Sequence, residues 1–206
     1  MYTPAHFASD DDAVAALIAA HPLAQLVVAT PEGLLGTPVP LLRRGQALVG
    51  HLARANELWR YPGPALAIFT GPQAYVSPGW LASKQEHGKV VPTWNYESVH
   101  VLGTLVVHDE TEWKRAVVTQ LTDFFEAPRA KPWQVADAPA DYIEASLRNI
   151  VGIELVDLRS TGKAKLSQNR TAADRQGVIT GLSDGTAAEQ ALADRMRGSA
   201  MPDSGS

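Results

Sequence analysis

The chain has 206 residues, is 45% hydrophobic and carries a formal net charge of −4 at pH 7. That length buries one substantial core, so one domain with appendages is expected, and the acidic balance lacks the basic surplus that neutralising a nucleic-acid backbone usually requires. The lack of cysteine excludes disulfides, iron–sulfur clusters and cysteine-type zinc sites, and without a basic leader or a membrane-length apolar run the expectation is a soluble cytoplasmic protein.

In chain order, Ser9 as a cap and Asp10, Asp11 and Asp12 in the first turn predict a helix from about Asp10 to Ala20, with Val14, Leu17 and Ile18 as its apolar stripe. Short strand-like runs follow at Leu23 to Ala29, Leu34 to Leu42, Ala47 to Leu52 and Ala65 to Thr70. Pro31-Glu32-Gly33 and Arg43-Arg44-Gly45-Gln46 read as tight turns of antiparallel hairpins. A long strand is expected from Lys89 or Val90 to His108, then helices at about Glu110 to Phe125 and Asp141 to Ile150 around a proline-containing linker. A last strand at Val151 to Leu158 places Ile153 and Leu155 on one face. This order predicts a mainly β protein, a barrel with helices packed outside it. Beyond Gly181, Ala187 to Arg197 reads as one helix, and Gly198 to Ser206 has the small, polar composition of a frayed end where no function is expected.

Unusual chemistry gathers in three stretches: His51 to Asn56, Ser77 to Tyr96, and Gly162 to Arg170. In the first, a strand that turns directly into a helix leaves backbone N–H groups for an anion, with Arg54 beside them. The plainer alternative is that Asn56 only caps, Arg54 is solvated and His51 is a satisfied sheet residue. The second reads as a long irregular loop holding Trp80, Lys84, Glu86, His87 and Lys89. It leads into a segment with Trp94 and Tyr96 on one face and Thr93 and Asn95 on the other, suited to grip a ring by face and edge. The alternative is that its tryptophans plug the barrel ends. In the third, an extended chain puts Lys163, Lys165 and Ser167 on one face and Ala164 and Leu166 on the other, followed by Gln168, Asn169 and Arg170. That is an anion clamp or, equally, a solvated edge.

The runs HLARAN, TGPQAYVSPGW, KQEHGKVVPTWNY and GKAKLSQNR, together with the opening MYTPAHF, resemble the signature blocks of the PaiB-type proteins, a family described as FMN-binding negative transcriptional regulators. The likeness covers residues 1–182 as one domain and leaves 183–206 as a tail, partly helical or disordered. It implies an FMN-binding split β-barrel of the pyridoxamine-phosphate-oxidase type, a homodimer with FMN at the subunit interface. By this resemblance the flavin ring lies along Pro40, Leu41 and Leu42, the phosphate sits near His51, Arg54, Ala55 and Asn56, and Thr93, Trp94, Asn95, Lys165, Ser167, Gln168 and Arg170 complete the pocket.

The chemistry stays open at this stage. No Ser-His-Asp order, cysteine nucleophile or HExxH helix appears, and no catalytic or metal-ligating residue is assigned. A regulator that senses FMN or uses its redox state, a flavin-dependent oxidoreductase and, last, a haem protein drawing on one of six histidines all fit. DNA is a partner without support from charge or from a basic recognition helix.

Overall fold

The computed structural model describes residues 1–199. Its elements are β1 (Ala8–Ser9), α1 (Asp11–Ala20), β2 (Leu23–Thr30), β3 (Gly33–Pro40), β4 (Leu42–Arg44), β5 (Ala47–Ala53), β6 (Gly63–Val76), α2 (Ser83–His87), β7 (Thr93–His108), α3 (Thr111–Glu126), α4 (Ala140–Arg148), β8 (Ile150–Lys165), α5 (Ala172–Ser183) and α6 (Ala187–Gly198). Short 3₁₀ turns stand at Glu57–Arg60 and Pro78–Trp80. The strand order is β3-β2-β6-β7-β8-β5-β4, with β1 paired to β8. The chain divides into two compact units. The first joins Met1–Ala20, Thr70–Val99 and Thr161–Ser206; the second joins His21–Phe69 and His100–Ser160.

In the second unit, β2 alternates buried Ala24, Leu26 and Val28 with more exposed Leu23, Gln25 and Val27, the period of a strand with one face inward. It pairs with β3 from Leu23↔Pro40 to Thr30↔Gly33 and with β6 from Gln25↔Ile68 to Val28↔Ala65, both antiparallel. The single strand expected from Leu34 to Leu42 is two. Pro38 and Pro40 offer no N–H, which suits an edge strand, and the chain then leaves the ladder, the Leu41 amide donating to the Pro22 carbonyl at 2.9 Å. β5 pairs with β8 from Leu48↔Leu155 to Ala53↔Ile150. Val117 and Leu121 of α3 pack with Leu42, Val49 and Trp113.

The first unit carries its own core, in which Ala74, Val76, Leu81 and Leu166 meet Val178, Ile179 and Leu182 of α5 and Leu192, Ala193 and Met196 of α6. α1 is capped by Asp10, whose carboxylate accepts from the Ala13 amide at 2.8 Å, and not by Ser9, which pairs with Gly162 in the β1–β8 ladder. That pairing also carries β8 past the Leu158 expected from its apolar alternation. Ser77 to Tyr96 is not an irregular loop, because the 3₁₀ turn, α2 and the start of β7 fill most of it. Trp80 belongs to the core, seated on α5 where a Cβ at Gly177 would lie 2.0 Å from the Trp80 carbonyl oxygen. The buried Asp174 at the start of α5 accepts from the Ser83 amide at 2.9 Å and hydroxyl at 2.8 Å. Burial alone would raise its pKa; these two bonds, with nearby Arg170 and His87, outweigh that and hold it below the ordinary value. α6 opens on a reciprocal cap between Thr186 and Glu189. The frayed end expected at Gly198 to Ser206 lies, from residue 200 on, outside the described residues.

Gly50 sets how closely β5 approaches the end of β3, since a Cβ there would stand 2.6 Å from the Pro40 carbonyl oxygen and 2.9 Å from Leu41 Cδ2. Gly50→Ala is expected to lower stability by roughly 1–3 kcal/mol, the scale of overpacking, read from the urea midpoint at unchanged m.

Candidate functional site

The first stretch, in the second unit, forms as expected at the backbone level. β5 ends at Ala53, and Asn56 caps a four-residue 3₁₀ turn by accepting from the Leu58 amide at 2.9 Å. Several of the donors expected to face an anion at this turn already have partners. The Arg54 amide donates to Asn149 and the Asn56 amide to Ala53, each at 2.8 Å, and the Asn56 side-chain amide donates to Thr37 at 3.1 Å. Arg54 is matched as well. Its guanidinium grips Asp109 with both terminal nitrogens and donates to the carbonyls of Arg148 (2.7 Å) and Ile150 (3.1 Å). Asp109 also accepts from the buried Lys114 at 2.9 Å.

Pro40 and His51 come together on one wall of a cavity of about 320 Å³. Leu121, Thr122, Phe125 and Glu126 of α3 and Trp133 of the proline-containing linker complete it. Burial holds the His51 imidazole below its ordinary pKa, and its Nδ1 is enclosed with no hydrogen-bond partner among the described residues. Sequence reading missed Phe125 and Trp133 as site residues. Their signal in the sequence was two large aromatic groups, one at the end of a helix and one beside Pro132, and the fold leaves them 42% and 44% exposed.

In the first unit, residues far apart in sequence meet. Lys165 donates to the Thr93 hydroxyl and to the Trp94 carbonyl at 2.7 Å, and Asn95 donates to the Ser167 hydroxyl at 2.9 Å. Asn95 is fully buried while Trp94 is half exposed, the face alternation expected for this segment. The alternation expected beyond Lys165 fails, because Ser167 adopts a left-handed φ of 64° and is buried along with Leu166. Gln168 fastens that turn, accepting from the Leu166 amide at 2.7 Å and donating to the Ala164 carbonyl at 2.6 Å. Among the described residues no carboxylate lies within ion-pair distance of Lys163, Lys165 or Arg170. Burial, then the like charges of Lys163 and Arg170, hold Lys165 below its ordinary pKa. Among the described residues no donor reaches the buried Asn95 Oδ1 atom.

Residues 1–156 match the family described as “Putative FMN-binding domain”. The chain belongs to this FMN-binding family. FMN is the cofactor that defines it, and the PaiB-type resemblance holds, since the chain is 31% identical over 138 residues to protease synthase and sporulation protein PAI 2 of Bacillus subtilis, covering 66% of this chain and 64% of that protein. It is 36% identical over 154 residues to an uncharacterised protein of Aspergillus fumigatus, covering 66% of this chain and 59% of the relative. The chain thus spans about three fifths of the length of these relatives. Among solved structures it is similar to the FAD and haem binding protein from Mycobacterium smegmatis (TM-score 0.58, 20% identity, 76% of this chain and 71% of that one) and to the flavocytochrome Anf3 from Azotobacter vinelandii (0.57, 20%, 77% and 69%). The fold is the one expected from the sequence, an antiparallel FMN-binding split barrel with flanking helices. No helix of the described residues is long and apolar enough to cross a membrane.

Hydrogen bonds from Arg54 and then Lys114 hold the Asp109 carboxyl at about 2, below its ordinary 3.8. A folded-state pKa below the unfolded one gives stability that is complete above 3.8 and is lost as pH falls through about 2. Asp109→Asn is therefore expected to lower the thermal midpoint at pH 7, and the gap to the parent protein should close as melts are repeated at progressively lower pH through that window.

Proposed function

We propose that the protein is an FMN-dependent redox or ligand-sensing flavoprotein that works as a homodimer, with the cofactor phosphate held by the Lys165 row. The observation that carries this reading is the charge of Lys163 and Lys165, which pair with no carboxylate among the described residues, with Lys165 held on Thr93 and Trp94 next to Asn95. A phosphate needs cations that no carboxylate already neutralises, and Lys163 and Lys165 are such cations; Arg54, bound by Asp109, is not. The donor set fits FMN in a second respect, because the buried, unpaired Asn95 Oδ1 suits an N–H donor of the ring edge and the exposed Trp94 suits its face. Ser167 and Gln168 shape the turn that presents the row. Pro40, Leu41, Leu42 and His51 are a second flavin-contacting set, with Arg54, Ala55 and Asn56 bracing it, and a homodimer offers two copies of each set. Bound flavin supplies the electron chemistry, and these residues supply position and charge.

Support for the homodimer comes from an apolar groove of about 630 Å³ in the second unit, lined by Val27, Leu34, Leu66 and Leu102, with Leu34 81% exposed. Apolar surface of this kind marks an interface more often than a solvated face. The name of the Bacillus relative places that protein in protease synthesis and sporulation, and a regulatory role for the present chain is read as indirect. Of the cations in the first turns of α3, Lys114 is buried on Asp109 and Arg115 is paired with Glu144, which leaves neither for a DNA phosphate.

Fluorescence titration with FMN and riboflavin tests the phosphate assignment. Lys165→Ala should weaken FMN by roughly 1.5–3 kcal/mol, the scale of hydrogen bonds to charged groups, and leave riboflavin unchanged. Equal loss for both ligands, or no loss, would remove Lys165 from the phosphate. Arg54→Ala should instead lower the melting midpoint with little effect on the ratio of the two affinities. In sedimentation the chain should run at twice its 22.1 kDa, and Leu34→Asp with Leu102→Asp should return it to one; a monomer at the outset sinks the dimer.

A further inference from the structure

The cavity beside His51 has a lining suited to something other than a phosphate. Phe125, Trp133, Leu121 and Pro40 give it apolar walls, and no lysine or arginine lines it. Glu126 brings the one carboxylate, and by accepting from the Trp133 amide at 3.1 Å it fixes the linker that carries the indole. The His51 imidazole, its pKa lowered by burial, stays neutral at pH 7. Thr122 also lines the cavity, and its side chain makes no hydrogen bond to another described residue. An anion placed here would meet Glu126 without a counter-charge, whereas a flat ring gains contact with the aromatic faces, and a cationic ring gains more. About 320 Å³ lies at the small end of ligand cavities.

We propose that this cavity binds a small planar aromatic molecule, uncharged or cationic, against Trp133 and Phe125, with Thr122 as its hydrogen-bond partner. That such a molecule lies next to the flavin rests on the reading of Pro40 given above; the cavity itself does not. In an FMN-dependent oxidoreductase this is where an organic substrate ring would be received.

The test titrates nicotinamide, N1-methylnicotinamide and nicotinate, which share one ring and differ in charge, into the protein with and without saturating FMN. The indole N–H resonances are followed by NMR, with that of Trp133 assigned through Trp133→Ala. Nicotinamide and its methylated cation are expected to shift the Trp133 resonance at millimolar concentration, and nicotinate to bind about tenfold more weakly. Thr122→Val, which keeps the side-chain volume, should weaken nicotinamide several-fold while leaving the remaining spectrum in place. Equal binding of nicotinate, insensitivity to Thr122→Val, or no shift at Trp133 with any probe overturns the proposal. So does displacement of the probes by FMN, which would give the cavity to the flavin ring. Probe binding in a protein that takes up no FMN would sink the flavin reading and leave the cavity standing.

Discussion

One carboxylate organises the second unit. Asp109 stands between the end of β7 and the start of α3 and is held by Arg54 from the end of β5 and by Lys114 from the first turns of α3. Through the same guanidinium, the carbonyls of Arg148 and Ile150 tie in the junction of α4 with β8. Lys114 is 4% exposed, and an ammonium that deep is tolerated only with its counter-charge in place. Fixing Asp109 therefore fixes the pitch of α3 on β4 and β5, and with it the side of α3 that carries Leu121, Thr122 and Phe125 to the His51 cavity. The stability of the node and the shape of the cavity are one problem.

What the sequence showed and what it hid follow the range of the interactions. Periodicity along β2, the stripe of α1 and the Asn56 cap are local patterns, and they read correctly. The buried alternation of Ile153 and Leu155 was visible too, but the far end of β8 was not. Past Leu158 the residues turn polar, and pairing with β1, more than 150 positions earlier, keeps that segment extended. Ser167 broke the expected face because a left-handed residue resets the alternation, and nothing in GKAKLSQNR distinguishes a serine that turns from one that does not.

The site was legible as composition and obscure as charge balance. Arg54 and Lys165 look equally available in sequence, since a cation's partner can lie anywhere in the chain. Arg54 finds its carboxylate 55 positions away, whereas among the described residues Lys165 finds the Thr93 hydroxyl and the Trp94 carbonyl, 72 and 71 positions away, and no carboxylate. A neutral oxygen steers an ammonium without cancelling its charge, so Lys165 keeps a demand for an anion that Arg54 has already satisfied. Reading a binding row thus depends less on which residues are basic than on which acids fold next to them.

The first strand turns of β7 make the same point from the side of the polar groups. Asn95 and Glu97 both point into the first unit and are buried, an arrangement that costs stability unless each is answered. Glu97 is answered in full by Arg195 of α6, which donates to both carboxylate oxygens at 2.7 Å. Asn95 is answered by half: its amide nitrogen reaches Ser167 and Met196, and its oxygen reaches no donor among the described residues. Both sets of partners lie beyond residue 156, where the family match ends, so the C-terminal segment supplies the walls for polar groups borne on the matched strand. Packing alone would be served better by an apolar residue at position 95 than by an amide with an idle acceptor. The idle acceptor makes physical sense when its donor arrives with a ligand, and the ring edge of a flavin carries such a donor.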